Sequence, residues 1–212
     1  EGLCAYGIGR LQSQQNDHEG AVKTEEEALR LLEREGNRLD VAKVCVGLGG
    51  NLLELGRSEE AEEYLGRAAS EARATGAMGV LASALYNLAS LRRQSGRVPD
   101  ALPLFVEALT AFEEQEQYEY ASRCAAWLAF GEWALGREDS VDRYAKRASA
   151  LLVHAGGPAL RARALRHLGR ACWEVGRKDD ARRYLRRAIT QARDANLEQL
   201  VADLSQELGR LA

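Results

Sequence analysis

Apolar and small positions along the 212-residue chain recur with a period of 40. Stepping by 40 from Ile8 gives Leu48, Leu88, Leu128, Leu168 and Leu208, and the next residue is small each time: Gly9, Gly49, Ala89, Ala129, Gly169 and Gly209. A second set follows the same step, with Ala21, Ala61, Ala101, Val141 and Ala181, and seven residues later Ala28, Ala68, Ala108, Ala148 and Ala188. Residues seven apart share one helix face, so each period holds two amphipathic helices. A small side chain beside a large Leu lets a neighbouring backbone approach while the Leu fills the groove between ridges, so the pattern predicts close helix pairing.

Gly-Arg recurs at Gly56-Arg57, Gly96-Arg97, Gly136-Arg137 and Gly176-Arg177, between the two helical stretches of each period. Glycine takes a left-handed C-terminal conformation without steric cost, which marks it as the stop of the first helix. The acids Glu59 and Glu60, or Asp179 and Asp180, then favour the next helix start. Each period is therefore read as helix, tight turn, helix.

Composition agrees with this reading. The chain is 46% hydrophobic, 6% aromatic and 29% charged, with 20 Gly but only 3 Pro and a formal charge of -3, which is a globular balance with few helix breakers. No apolar run reaches the roughly 18 residues of a membrane span, and the start lacks the order of a signal peptide. A soluble, intracellular protein is expected. Cys4, Cys45, Cys124 and Cys172 have no metal-site spacing and read as small buried apolar residues. His18, His154 and His167 fall in different periods with no nucleophile at motif spacing, so neither catalysis, a cofactor nor a metal is expected. The glycines of Gly7-Ile8-Gly9 and Gly47-Leu48-Gly49-Gly50 follow no strand and are explained by the repeat rather than by a phosphate loop.

These residues resemble the tetratricopeptide repeat family. The best match is Ala82 to Ala108, with Leu85, Asn87, Leu88, Ala89, Gly96, Ala101, Phe105 and Ala108 at the signature places. A period of 40 against the usual ~34 implies longer helices. It is similar to the repeats of kinesin light chains, Pins-type polarity scaffolds and the sensor regions of MalT-like bacterial regulators. The resemblance implies an all-α fold, a right-handed α-solenoid of stacked antiparallel helix pairs. Five repeats are expected at approximately 1–36, 37–76, 77–116, 117–156 and 157–196, with a terminal helix over 197–212, forming a single solenoid over 1–212. Beginning and ending inside first helices suggests either an excised segment or a polar cap. Departures gather early: Asn16 replaces the turn glycine, Glu25 stands where a large apolar residue is usual, and Gly7, Gly47 and Gly50 weaken the first helices.

In this family the first helices line the concave side, and carrying its positions over gives a candidate partner-binding set. It comprises Tyr86, Asn87 and Arg93, then Arg123, Trp127, Phe130 and Trp133, then Arg163, Arg166, His167, Arg170 and Trp173. Aromatic and Arg side chains are the usual anchors of binding surfaces. Trp127 and Phe130 are expected to be exposed, whereas Trp133 and Trp173 share a register position that also suits packing against the next repeat. The early lining, including Tyr6, Arg10, Val46 and Gly50, is bland. Asn87 and Arg123 match the family's carboxylate clamp, but Val46, Gly50 and Trp127 do not, so a chaperone-tail clamp is not expected.

Residues 155–193 carry eleven Lys plus Arg against three acids, while residues 54–71 carry six acids against two Arg. Such polarity attracts complementary partners. A protein or peptide with acidic and apolar residues is expected, with no membrane and no nucleic acid, since the chain as a whole is acidic. The alternative is a ligand- or peptide-sensing segment of a larger bacterial signal-transduction regulator.

Overall fold

The computed structural model describes residues 1–154, 156–174 and 176–210, with nothing stated of the side chains at 138 and 139. The described residues form eleven helices and no strand: α1 (Gly2–Gln14), α2 (His18–Arg34), α3 (Arg38–Glu54), α4 (Ser58–Thr75), α5 (Met78–Gln94), α6 (Val98–Glu114), α7 (Tyr118–Ala134), α8 (Glu138–His154), α9 (Pro158–Glu174), α10 (Lys178–Asp194) and α11 (Glu198–Gly209). Two 17-residue helices with their short turns complete the 40-residue period. Residues 211 and 212, at the end of the expected terminal helix, lie outside the described residues.

The turns fall at 20-residue intervals. Gly56, Gly96, Gly136 and Gly176 take φ between 72° and 75°, the left-handed conformation expected of each Gly-Arg pair. Asn16 does the same at φ 63°, because a short polar side chain tolerates this region better than most, so its replacement of glycine leaves the turn intact. Asp17 then caps α2 by accepting from the Gly20 amide at 2.9 Å, and Asn37 caps α3 by accepting from the Asp40 amide.

By contact density the chain divides into two compact units, residues 1–111 and 112–212. In the first, α1 packs on α2, α3 on α4, and α1, α3 and α5 lie side by side. Its core includes Leu48, Leu52, Leu85, Leu88 and Phe105, each fully buried Leu contributing about 2 kcal/mol. In the second, α7 packs on α8 and α9 on α10, with α7 beside α9. Leu128 and Leu168 are buried there, and the buried Ser122 hydroxyl donates to the Ala148 carbonyl, pinning α7 to α8.

The small position of the register has a direct cause. A β-carbon on Gly49 would lie 2.4 Å from Cγ of Leu65, and one on Gly169 would lie 2.9 Å from Cγ of Leu185. The second helices α4 and α10 thus seat a large side chain on the backbone of α3 and α9. Two expectations differ. Ile8 is 53% exposed, because the face that α3 and α5 bury against a neighbouring hairpin is open on α1. Cys45 and Cys124 are buried as expected, but Cys172 is half-buried and Cys4 exposed. Among the described residues no helix is long and apolar enough to cross a membrane.

Candidate functional site

Of the candidate set, Tyr86, Asn87 and Arg93 lie on α5 in the first unit, all half-buried. The Tyr86 ring meets Phe105 edge-on at 5.9 Å, so this residue is partly committed to its own hairpin. The other nine lie in the second unit, on α7 and α9.

On α7 the aromatic residues form a ladder. Trp127 meets Phe130 edge-on at 6.0 Å, and Phe130 lies 6.5 Å from Trp133. The spacing of three residues stacks them along one helix face. Trp127 is only 7% exposed, which corrects the expectation of an open side chain. Its register position is shared with His167, which is also withdrawn from solvent. Phe130 is half-buried. Trp133 and Trp173, 40 residues apart at one register position, are 43% and 40% exposed. They are not absorbed into the core, and Lys178 Nζ sits 5.6 Å from the Trp173 ring centre.

The arginines are organised by acids of the chain itself. Arg166 and Arg170 both bond Glu207 on α11, Arg166 Nε at 2.9 Å and Arg170 Nε at 3.4 Å. Burial raises the Glu207 carboxyl, but the two guanidinium hydrogen bonds outweigh it and leave it below the ordinary glutamate value. Arg163 is exposed, and with Arg123 it offsets part of the rise that burial imposes on Glu119. His167 is pushed down to about 3, first by burial and then by the charges of Arg123, Arg170 and Arg166. It is a neutral imidazole at neutral pH, not a titrating group. Arg170, Trp173, Glu207 and Arg210 border a cavity of about 320 Å³ floored by Gly169 and Leu185.

The first unit holds a further feature where the lining is bland by residue type. Tyr6 and Arg10 of α1, His18 and Glu25 of α2, and Asn51 and Glu54 of α3 line a cavity of about 560 Å³. Glu25 is 1% exposed. Asn51 Nδ2 donates to its Oε2 at 3.0 Å, and the Asn51 carbonyl oxygen lies 3.0 Å from His18 Nδ1. Burial raises the Glu25 carboxyl to about 7, against smaller opposing effects of Asn51 and Arg10. A β-carbon on Gly9 would lie 2.6 Å from Glu25 Cγ, and one on Gly47 2.6 Å from Oε1. The two glycines therefore make the space this carboxylate occupies, and His18, which in the sequence has no companion, joins a three-residue chain. A signal existed: Glu25 breaks the apolar register at the same place where glycines accumulate on α1 and α3. Glu207 was also legible, lying 40 residues after His167.

Comparison with known proteins agrees with the geometry. Tetratricopeptide repeat family profiles match residues 40–114 and 130–196. No curated protein matches the sequence. Among solved structures, a Rap protein complexed with competence and sporulation factor superposes with a TM-score of 0.66 at 15% identity, covering 98% of this chain and 62% of that one. A putative kinesin light chain from Podosopora anserina, with nearly identical repeats of this type, gives 0.68 at 15%, covering 92% and 95%. A signal transduction ATPase with numerous domains (STAND) from Pyrococcus horikoshii, which carries a tetratricopeptide repeat sensor, gives 0.72 at 15%, covering 96% of this chain and 31% of that one. The chain thus spans less than two thirds of the Rap and STAND chains. At these identities the likeness is one of fold.

Proposed function

The chain belongs to the tetratricopeptide repeat family, and from that premise we propose that it is a non-catalytic module that binds a peptide or protein segment in the concave groove of a single solenoid, chiefly along α7 and α9. The observation that carries this reading is the exposure of Trp133 and Trp173 at one register position on successive first helices. Large aromatic side chains held half-open on a rigid helix face bind with little entropy loss. Phe130 lies beside Trp133 and Arg170 beside Trp173, and Arg123, Arg163 and Arg166 extend the proposed surface on α7 and α9, while Tyr86, Asn87 and Arg93 form a separate proposed set on α5 of the first unit.

The partner segment supplies apolar side chains for the two indoles and an acid for the arginines. Arg166 and Arg170 already hold Glu207, so a partner carboxylate would compete with that residue or use Arg163. Panning a phage-displayed random peptide library against the protein tests this. Selected peptides should combine acidic and apolar residues and lose binding to the Trp133→Ala/Trp173→Ala variant. Peptides that bind this variant as well as the parent would refute the assignment.

The second reading, a sensing segment of a larger bacterial regulator, is favoured by the first unit's cavity, whose size suits a small ligand, and by the likeness to a STAND sensor. Under this reading a ligand in the solenoid alters a linked effector domain.

A further inference from the structure

The cavity between α1, α2 and α3 combines three features. Its volume, about 560 Å³, falls in the range of small-ligand sites. Its floor is a carboxylate that is 99% withdrawn from solvent on a cradle of two glycines. Among the described residues, Asn51 Nδ2 is the one hydrogen-bond donor to that carboxylate, which has room for about four. A buried carboxylate with a single hydrogen-bond donor is costly to maintain; the α7–α9 face does not use it, and the sensing reading, on whose cavity this inference rests, assigns it no ligand.

We propose that this cavity binds an organic cation, a guanidinium or alkylammonium group, whose N–H donors take the Glu25 carboxylate at the floor and the Glu54 carboxylate nearer the opening.

The charges around the cavity favour this class. Glu25 and Glu54 are its two acids, and Glu54 is exposed. Of the basic groups, Arg10 is also exposed, with its guanidinium 5.9 Å from the Tyr6 ring centre, and His18 Nδ1 is committed to the Asn51 carbonyl oxygen. The Tyr6 hydroxyl is bonded to the Lys43 carbonyl of α3, which fixes the aromatic wall. An anion entering here would meet the floor carboxylate head-on. The stem of an arginine, a lysine or a free polyamine would lie along Tyr6 and Val46 with its charged end at Glu25.

The site binds a cation best when Glu25 is ionised. Because burial holds this carboxyl near 7, affinity rises with pH across neutrality and entry of the cation expels a proton. The other groups facing Glu25 are Arg10 and Tyr6 from α1, His18 from its own helix, and Asn51 with Glu54 from α3.

The same cation can arrive free or on a chain, and two probes separate the sources. Agmatine and the capped tripeptide Ala-Arg-Ala are titrated calorimetrically into the full chain at pH 8 and pH 5.5, with Ala-citrulline-Ala as the uncharged control. Both cationic probes should bind at pH 8 and weaken by about tenfold or more at pH 5.5, and the control should not bind. The tighter of the two identifies the source. Glu25→Gln should abolish binding while helical content is retained. Absence of binding by both cations at pH 8, an inverted pH trend, or undiminished binding by folded Glu25→Gln would overturn the assignment. The inference is independent of the α7–α9 face: failure of one leaves the other standing, since Trp133→Ala/Trp173→Ala should bind agmatine normally.

Discussion

Asn51 donates its side-chain amide to the Glu25 carboxylate across 3.0 Å, tying α3 to α2 through a polar contact at a register position where the later second helices place Leu65, Phe105, Ala145 and Leu185. The contact sits in a repeat architecture that otherwise seats apolar side chains there. Because burial raises the Glu25 carboxyl, the stability of the first hairpins should depend on pH.

Glu25 titrates at about 7 in the folded chain against an ordinary 4.5. Below pH 4.5 it is protonated both folded and unfolded and makes no difference. Between 4.5 and 7 only the unfolded chain ionises, so stability falls as pH rises, and the loss is complete above 7. Glu25→Gln should therefore gain stability relative to the parent on going from pH 4.5 to pH 8, by about 3 kcal/mol. Chemical denaturation at the two pH values measures it, and a constant difference would contradict the buried-acid assignment.

Glu207 behaves in the opposite sense. Its carboxyl is lowered by net gain from Arg166 and Arg170, so its contribution is full above about pH 4.5 and fades as acid protonates it. Glu207→Ala should cost about 1 kcal/mol at neutral pH, less at high salt, since the pairs are partly exposed. Hydrogen exchange should show earlier opening of α11. No change in α11 protection would mean that the two ion pairs contribute nothing.

Leu88 and Ala101 are both buried, at the large position of a first helix and the small position of a second. Leu88→Asp or Ala101→Asp places an unpaired charge between helices and should destabilise by about 3 kcal/mol or more. A thermal melt checks this, and an equally stable Ala101→Asp protein would refute the register itself.

Trp133→Ala and Trp173→Ala should each leave the melting temperature almost unchanged, because the indoles are over a third exposed, while Trp127→Ala should cost about 3 kcal/mol by opening a buried space. Comparing the three melts separates the proposed contact residues from the core one. A large loss at Trp173 would assign it to packing.

The architecture was legible because it repeats. The Leu and small-residue pairs at 48/49 and 168/169 report a packing rule, and the structure supplies its atoms in Leu65 over Gly49 and Leu185 over Gly169. Six copies of one rule leave little room for tertiary context to override it. The candidate site was less legible because its residues occur once each. Trp127 was expected to be exposed since its helix face was right, but exposure depends on how closely the surrounding elements approach, which spacing alone does not set. The Glu25 cavity was missed for a related reason. Glu25 and Gly47 each read as a departure from the repeat, Asn51 carries no signal of its own, and only their convergence in space makes them a site.

The most direct test of the binding face is hydrogen–deuterium exchange with and without a peptide selected by panning. Bound peptide should add protection in Tyr118–Ala134 and Pro158–Glu174, with α8 and α10 unchanged. Protection confined to α8 and α10, or none on α7 and α9 at saturating peptide, would contradict it.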